Sequence, residues 1–336
     1  MTDTLEALKR ALVHRTGFDV EPHTVPFRAF NGFTEGDKSL AIDVFGRSAV
    51  FYDFADASLE RDRRDAVITT LRAQYPWLRA GVWKERKSRS EQARAGTVCF
   101  GTEKELDRFV VEDGVKYAFE PLKAHDAGFY VEMRGLRAWL KATFGGKHVL
   151  NTFAATGSLG VAARAGGADV VHTDKNGEAL QTAKRSYDLN KFEVRRADFI
   201  ANDFFPTAGR LKAENKLFDC VIVDPPFRSE TKGGKVDLET EWQRVANKLR
   251  PLVAHQGSLV IVNNALFLPG AEFRAGLDAL GHGGYVTFEK SIPIPDDVRG
   301  FGVTDGGWPA DPAPFNHPTK IAVLKVTRKD GKPAAR

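Results

Sequence analysis

The sequence predicts an α/β protein: a doubly wound, largely parallel sheet spanning residues 126–336, preceded by a small α+β domain over residues 1–125. Beyond residue 146, short apolar runs alternate with helical stretches, the order of strand, crossover helix and parallel strand. Ahead of it, apolar runs joined by Gly-containing connections surround one helix, which suits antiparallel hairpins. A third observation locates a ligand edge. Asp174, Asp198 and Asp224 each close an apolar run, and acids at the carboxyl ends of successive parallel strands line the side where such sheets bind ligands.

In chain order, Thr4 to His14 places Leu5, Leu8, Ala11 and Leu12 at helical spacing, with Thr4 as a cap. Strand patterns follow at Val25–Phe30, Ser39–Phe45 and Ala49–Phe54, with turns at Asn31-Gly32 and Gly46-Arg47. A helix from about Leu59 to Gln74 stops before Pro76, and strands near Ala80–Trp83 and Thr97–Phe100 complete the first domain. Trp83 to Arg94 gathers cations beside an aromatic ring. Phosphate contact plus stacking is what RNA binding uses, with Lys84 and Arg86 as candidate contacts; a solvated face on a loop is the alternative.

The second domain opens on Val149–Ala163, an apolar run, a small-residue turn and an Ala-rich stretch that read as strand, glycine corner and helix. Gly157 takes backbone angles closed to other residues, and the helix from Ser158 presents free N–H groups. The spacing is neither GxGxxG nor a Walker A, so a phosphate is not the obvious guest. By itself the turn reads equally well as a plain connection. Ala168–Asp174 is the next strand, its terminal Asp174 a partner for ribose hydroxyls. After a helix at Ala179–Leu189, Phe192–Phe199 reads as a third strand, with Asp198 to accept from an adenine amino group and Phe199 as an apolar wall. Phe218–Val223 is fully apolar and leads into Asp224-Pro225-Pro226-Phe227. Helices at Glu239–Val253 and Ala271–Leu280 alternate with strands at Ser258–Val262, Gly284–Phe288 and Lys320–Val326. Thr231–Lys235 reads as a lid over a target or as an ordinary connection, and Pro293–Pro318 as a long loop over the active edge.

Composition bounds the function. At 336 residues and 42% hydrophobic content the chain can bury the cores of two domains. Lys+Arg 49 against Asp+Glu 44 leaves a net charge of +5, compatible with a polyanionic partner and also common in proteins that never touch one. No apolar run approaches the ~18–20 residues of a membrane span, and Met1–Glu6 lacks a charged-then-apolar signal, so the expectation is a cytoplasmic protein without a membrane partner. Cys99 and Cys220 make neither a disulfide framework nor a metal cluster, and no metal cofactor is expected.

The ordered set Asn151-x-Phe153-x-x-Thr156-Gly157, Asp174, Asp198 and Asp224-Pro-Pro-Phe227 resembles a class I S-adenosylmethionine-dependent methyltransferase. Glu112–Tyr117 and Gly128–Arg137 narrow the likeness to bacterial 23S ribosomal RNA methyltransferases that act on cytosine C5 or guanine N7, which carry a similar "NG-x-x-Y" strand and "GFFLDQR-x-NR" segment. Met133 and Leu136 stand where those relatives have Gln and Asn. The resemblance implies a Rossmann-like sheet of seven strands with the last antiparallel, S-adenosyl-L-methionine as methyl donor, and a substrate-recognition role for the first domain. It implies RNA as partner, 23S rRNA or a large-subunit precursor, and leaves the oligomeric state open, a dimer included. Donor-binding roles carry over to Phe129, Glu132, Arg134, Asn151, Phe153, Ala155, Thr156, Gly157, Asp174, Lys175, Asp198, Phe199 and Asp224. For Glu132 a helix-capping charge, and for Arg134 a plain surface role, are the alternatives.

The chemistry assigns Asp224, Pro225 and Phe227 to catalysis, and Phe227, Lys232, Asn263, Lys84 and Arg86 to the substrate. A sulfonium donor is already activated, so transfer needs alignment above all. An exocyclic amine gains from a carboxylate and a Pro carbonyl accepting its hydrogens, whereas guanine N7 has an in-plane lone pair and loses no proton. Phe227 can stack on a flipped base. Cytosine C5 requires a thiolate at the ring, yet no cysteine follows Pro226, and Cys220 lies within an apolar strand as an inert core residue. The expected target is therefore guanine, N7 ahead of N2. The alternatives are a cytosine-C5 enzyme, a protein or small-molecule N-methyltransferase, and a non-catalytic RNA-binding relative. Asn263 or Asn264 is read either as a base-edge contact or as a strand cap, and His172 as core.

Overall fold

A computed structural model describes residues 2–56, 59–123, 126–231, 234–301 and 311–334. The chain divides into two compact units, Met1–Arg134 with Pro295–Trp308, and Gly135–Ile294 with Pro309–Arg336. Residues 126–134 thus group with the first unit rather than the second. Phe129 explains why: it is buried edge-on to Phe45 and against Tyr117.

The first unit begins with α1 (Thr2–Val13), whose Ala7, Leu8, Ala11 and Leu12 form the buried stripe. A sheet follows in the order β1 (Phe27–Asn31), β2 (Leu40–Phe45), β3 (Ser48–Asp53), β4 (Ala80–Glu85) and β5 (Thr97–Phe100). Only β3 and β4 pair in parallel, because α3 (Arg61–Gln74) crosses over between them; the other pairs are antiparallel. At Asn31-Gly32 the chain makes one helical turn, α2 (Gly32–Glu35), in place of the simple hairpin turn expected there. The unit also holds α4 (Glu91–Ala95) and the hairpin β6 (Phe109–Glu112) to β7 (Val115–Ala118). That hairpin turns on Asp113-Gly114, both at positive φ.

The second unit contains α5 (Arg134–Thr143, starting at the boundary), β8 (His148–Thr152), α6 (Ser158–Ala165), β9 (Asp169–Asp174), α7 (Gly177–Leu189), β10 (Phe199–Ala201), α8 (Phe204–Ala213) and β11 (Phe218–Val223). It continues with the hairpin β12 (Arg228–Thr231) and β13 (Gly234–Asp237), then α9 (Trp242–Leu249), β14 (Val253–Asn263), α10 (Gly270–Gly281), β15 (Val286–Ser291) and β16 (Lys320–Val326). Seven strands form one sheet in the order β10-β9-β8-β11-β14-β16-β15. β16 is antiparallel between β14 and β15, and the pairs from β10 to β14 are parallel. The central run Cys220–Val223 is buried on both faces, as a parallel strand covered by helices must be. Among the described residues no helix is long and apolar enough to cross a membrane.

The third strand departs from expectation. It is Phe199–Ala201, not Phe192–Phe199, and Arg196–Asp198 is a helical turn ahead of it. Part of the expected long loop is helical. Its residues Asp296–Arg299 form α11, which packs in the first unit: Arg28 N donates to Asp297 Oδ2 at 2.9 Å and Asn31 Nδ2 to Val298 O at 2.7 Å.

Candidate active site

β8 ends at Thr152, whose hydroxyl donates to the Ile222 carbonyl at 2.6 Å. The chain then turns through left-handed backbone at Phe153 (φ 52°), Ala155 (φ 46°) and Gly157 (φ 80°). Such angles at non-glycine residues cost about 1–3 kcal/mol each and persist only where neighbours over-determine them. The neighbours here are Thr173 O, which accepts from Ala154 N at 3.0 Å, and Asp174 Oδ2, which accepts from Ala155 N at 2.8 Å. Gly157 is required twice over, since a Cβ there would lie 2.5 Å from the Ala183 methyl. Beyond it α6 opens with amides that no side chain caps. Asp174 Oδ1 accepts from Asn176 N at 2.7 Å, and each of its oxygens retains a lone pair for a ribose hydroxyl. On the neighbouring strand β11, half-buried Asp224 and buried Pro225 lead to Phe227, 36% exposed with the Arg228 guanidinium 5.2 Å from its ring centre.

Of the remaining candidates in the second unit, some reach this edge and others do not. Phe153 is half-buried and stacks on Phe204 at 4.6 Å; Thr156 is half-buried in the turn; exposed Lys175 donates to Ser229 Oγ at 3.0 Å, tying the end of β9 to β12. Asn151 does not reach the surface: 1% exposed, it faces His172 Nδ1 at 3.4 Å. Asp198 lies at the wrong end of its strand. Ala201 pairs with Asp174, so Asp198 precedes β10 while Asn202 and Asp203 follow it, and Asp198 instead accepts from Arg195 Nε at 2.8 Å. Phe199 is not an open wall, because its ring stacks on His172 at 5.0 Å and meets Tyr187 edge-on. Asn263 is fully buried with its amide engaged at both ends, by Leu238 O and Ala265 N.

Phe129, Glu132 and Arg134 belong to the first unit, where Arg134 forms a bidentate pair with Asp297 and donates to Pro26 O at 2.9 Å. Lys84 is 0% exposed and donates to Ala95 O, so its ammonium is not on a face that RNA can reach; Arg86, beside it, is half-buried with its guanidinium 5.9 Å from the Tyr52 ring centre. Lys232 lies outside the described residues. Asn202 and Asp203 are the edge residues that the sequence reading missed. The signal was present: Asp203 Oδ1 accepts from Phe205 N as the cap of α8, and a helix cap marks the carboxyl end of the strand before it.

His172 supports the turn from below. Its Nε2 lies 3.0 Å from the Tyr187 hydroxyl, and burial pushes its pKa down to about 3. Between that value and the ordinary pKa near 6.5, the unfolded chain holds a proton at this site that the folded chain does not, so stability falls as pH falls through the window. The expected contribution is up to about 1.4 kcal/mol per pH unit. Urea unfolding of wild type and His172→Gln between pH 7 and 4 should show the steeper loss in wild type; equal slopes would remove His172 from the account.

The sequence model of the S-adenosylmethionine-dependent methyltransferases matches residues 86–274. The chain belongs to that family. Ribosomal RNA large subunit methyltransferase I of Photobacterium profundum is 30% identical over 261 residues, 76% of this chain and 63% of that protein. The protein of the same name from Cronobacter sakazakii is 30% identical over 211 residues, 61% of this chain and 52% of its own length. The chain thus spans about half to three-fifths of these relatives. Among solved structures, a Streptococcus mutans protein described as an S-adenosylmethionine-dependent methyltransferase superposes with a TM-score of 0.81 at 18% identity, covering 96% of this chain and 80% of that one, a likeness of fold. The family's donor suits the edge: Asp174 presents carboxylate lone pairs of the kind that accept from ribose hydroxyls, beside the left-handed turn at Ala155 and Gly157.

Proposed function

We propose that this methyltransferase acts on RNA of the large ribosomal subunit and transfers its methyl group to a guanine, N7 ahead of the exocyclic N2. The observation that carries the proposal is the Asp224-Pro225-Pro226-Phe227 terminus of β11, an acid and an exposed aromatic ring on the same edge as the glycine turn. S-adenosylmethionine, when bound, supplies a methyl on a sulfonium leaving group. Asp174 holds the ribose of that donor, the Ala155–Gly157 turn its backbone-facing side, and Asn202 or Asp203 the adenine edge in place of Asp198. Phe227 stacks on the flipped base, a contact worth ~1–3 kcal/mol, while the Asp224 carboxylate faces the positive charge that N7 methylation leaves on the ring. The first unit serves RNA recognition through Arg86, Lys87 and Arg89, with the buried Lys84 as support rather than contact.

Cys220 supports guanine over cytosine C5. It is 0% exposed on the central strand β11, and burial pushes its thiol well above the usual range, so it offers no thiolate to a base. The test is nucleoside mass spectrometry of RNA and large-subunit particles from a strain lacking the gene, after incubation with protein and labelled donor. New 7-methylguanosine is expected. Appearance of 5-methylcytidine instead would overturn the base assignment, and absence of any methylated nucleoside on both substrates would overturn the RNA reading.

A further inference from the structure

Two exposed apolar loops stand at adjacent strand ends: Phe227 after β11, and Leu266 with Phe267, 65% exposed, after β14. A chain of hydrogen bonds runs behind them. Leu238 N donates to Phe227 O at 3.1 Å, closing the base of the β12–β13 hairpin. Leu238 O accepts from Asn263 Nδ2 at 2.9 Å, Asn263 Oδ1 accepts from Ala265 N at 2.9 Å, and Ala265 O accepts from Lys320 Nζ at 3.1 Å. Lys320 pairs with Asn263 across the β14–β16 ladder, also donates to Pro318 O, and is 1% exposed.

Stability does not explain this lysine. Its ammonium has carbonyl partners but no carboxylate within ion-pair range among the described residues, and burial pushes its pKa down to about 8. A side chain of the same length without charge would spare the desolvation of an ammonium and would leave the Ala265 and Pro318 carbonyls without this donor. What the charge supplies is a charge-assisted bond to the backbone of the Asn263–Phe267 turn, and through Asn263 to the loop that carries Phe227.

We propose that Lys320 is a positioning residue for the methyl-acceptor base: through Ala265, Asn263 and Leu238 it sets the height of the Phe227 loop above the sheet edge. The inference rests on the reading of Asp224–Phe227 as the acceptor site and deepens it. An acceptor held by stacking must attack the methyl carbon in line with the departing sulfur and tolerates little displacement; a misplacement near 1 Å costs about 10²-fold in rate.

The experiment uses the full chain with Lys320→Met, Asn263→Ala and Phe227→Ala, singly and with each of the first two combined with the third. Lys320→Met is expected to lower single-turnover methylation of RNA about 10–100-fold while donor affinity stays within about twofold. In the Phe227→Ala background the same change should add almost nothing. Additive losses would overturn the proposal, as would a parallel fall in donor affinity.

Amide exchange supplies a readout apart from activity. The Leu238 and Ala265 amides should lose protection in Lys320→Met, while amides of β8 and β11 keep theirs. Unchanged protection at Leu238, or loss throughout the sheet, overturns the relay. If Lys320→Met does not fold, Asn263→Ala breaks the same chain at its centre and is read by the same criteria. Should wild type methylate no RNA, the substrate reading fails, and the exchange at Leu238 still decides for or against the relay.

Discussion

Asp224→Asn is expected to lower the single-turnover rate of methyl transfer about 10²–10³-fold, with a much smaller loss of donor affinity. The amide keeps the size of the side chain and removes its charge, so the experiment isolates electrostatics from packing. Asp224 follows Val223, whose pairing with Thr152 and Ile261 fixes its place between the glycine turn and the β14 end. Pro225 is buried, and a residue before proline is held to extended backbone, which restricts where the carboxylate can go. A fixed negative charge beside a ring that becomes cationic stabilises the transition state more than the ground state, which lowers the barrier rather than tightening binding. A rate within about threefold of wild type would remove Asp224 from catalysis.

The second large effect belongs to the first unit. Glu35→Leu is expected to cost about 3–5 kcal/mol, because it strands the buried Arg15 guanidinium. Arg15 is 0% exposed and bidentate to Glu35 at 2.5 and 2.9 Å, and it also donates to Ala11 O, Arg28 O and Asp297 O. Glu35 is as fully used, accepting from Asn31 N at 2.8 Å and Phe301 N at 3.0 Å. Arg15→Met with Glu35→Leu should recover most of the loss, since a desolvated pair gives little net stability over apolar replacements even where breaking it is costly. Native-state amide exchange on β1 and β2 would measure both variants. A Glu35→Leu loss below about 1 kcal/mol would show that the pair does not hold α1, β1 and α11 together.

Local patterns carried much of the fold. The alternation of apolar runs with helical stretches specified the parallel sheet, and the Gly-linked runs upstream specified the hairpins β1–β2 and β2–β3, because both rest on side-chain period and turn chemistry that neighbouring residues determine. The corner at Gly157 was legible as a strand-to-helix turn, whereas the Ala183 methyl that makes glycine necessary there came only with the fold. Asp174 and Asp224 followed from their places at the ends of apolar strands.

Register and pairing over long separations were not legible. Asp198 ends an apparent strand in sequence, yet β10 begins after it, since the pairing of Ala201 with Asp174 sets the level of the chain on the sheet. Lys84 looked like a member of a basic loop, but it lies on β4, a strand buried on both faces, where its ammonium meets the Ala95 carbonyl. Asn263 was read from the sequence as a base-edge contact or strand cap and Lys320 was not singled out; they become one hydrogen-bonded unit because β16 runs antiparallel beside β14. Arg15 and Asp297 are separated by 282 positions and meet only in the folded unit. By itself the sequence determined most of the strands and helices and the glycine corner between β8 and α6, because those depend on residues a few positions apart. Tertiary structure alone decided which charges are buried, which acids face the ligand edge and which side chains hold the loops, because those depend on strand register and on partners that local sequence does not encode.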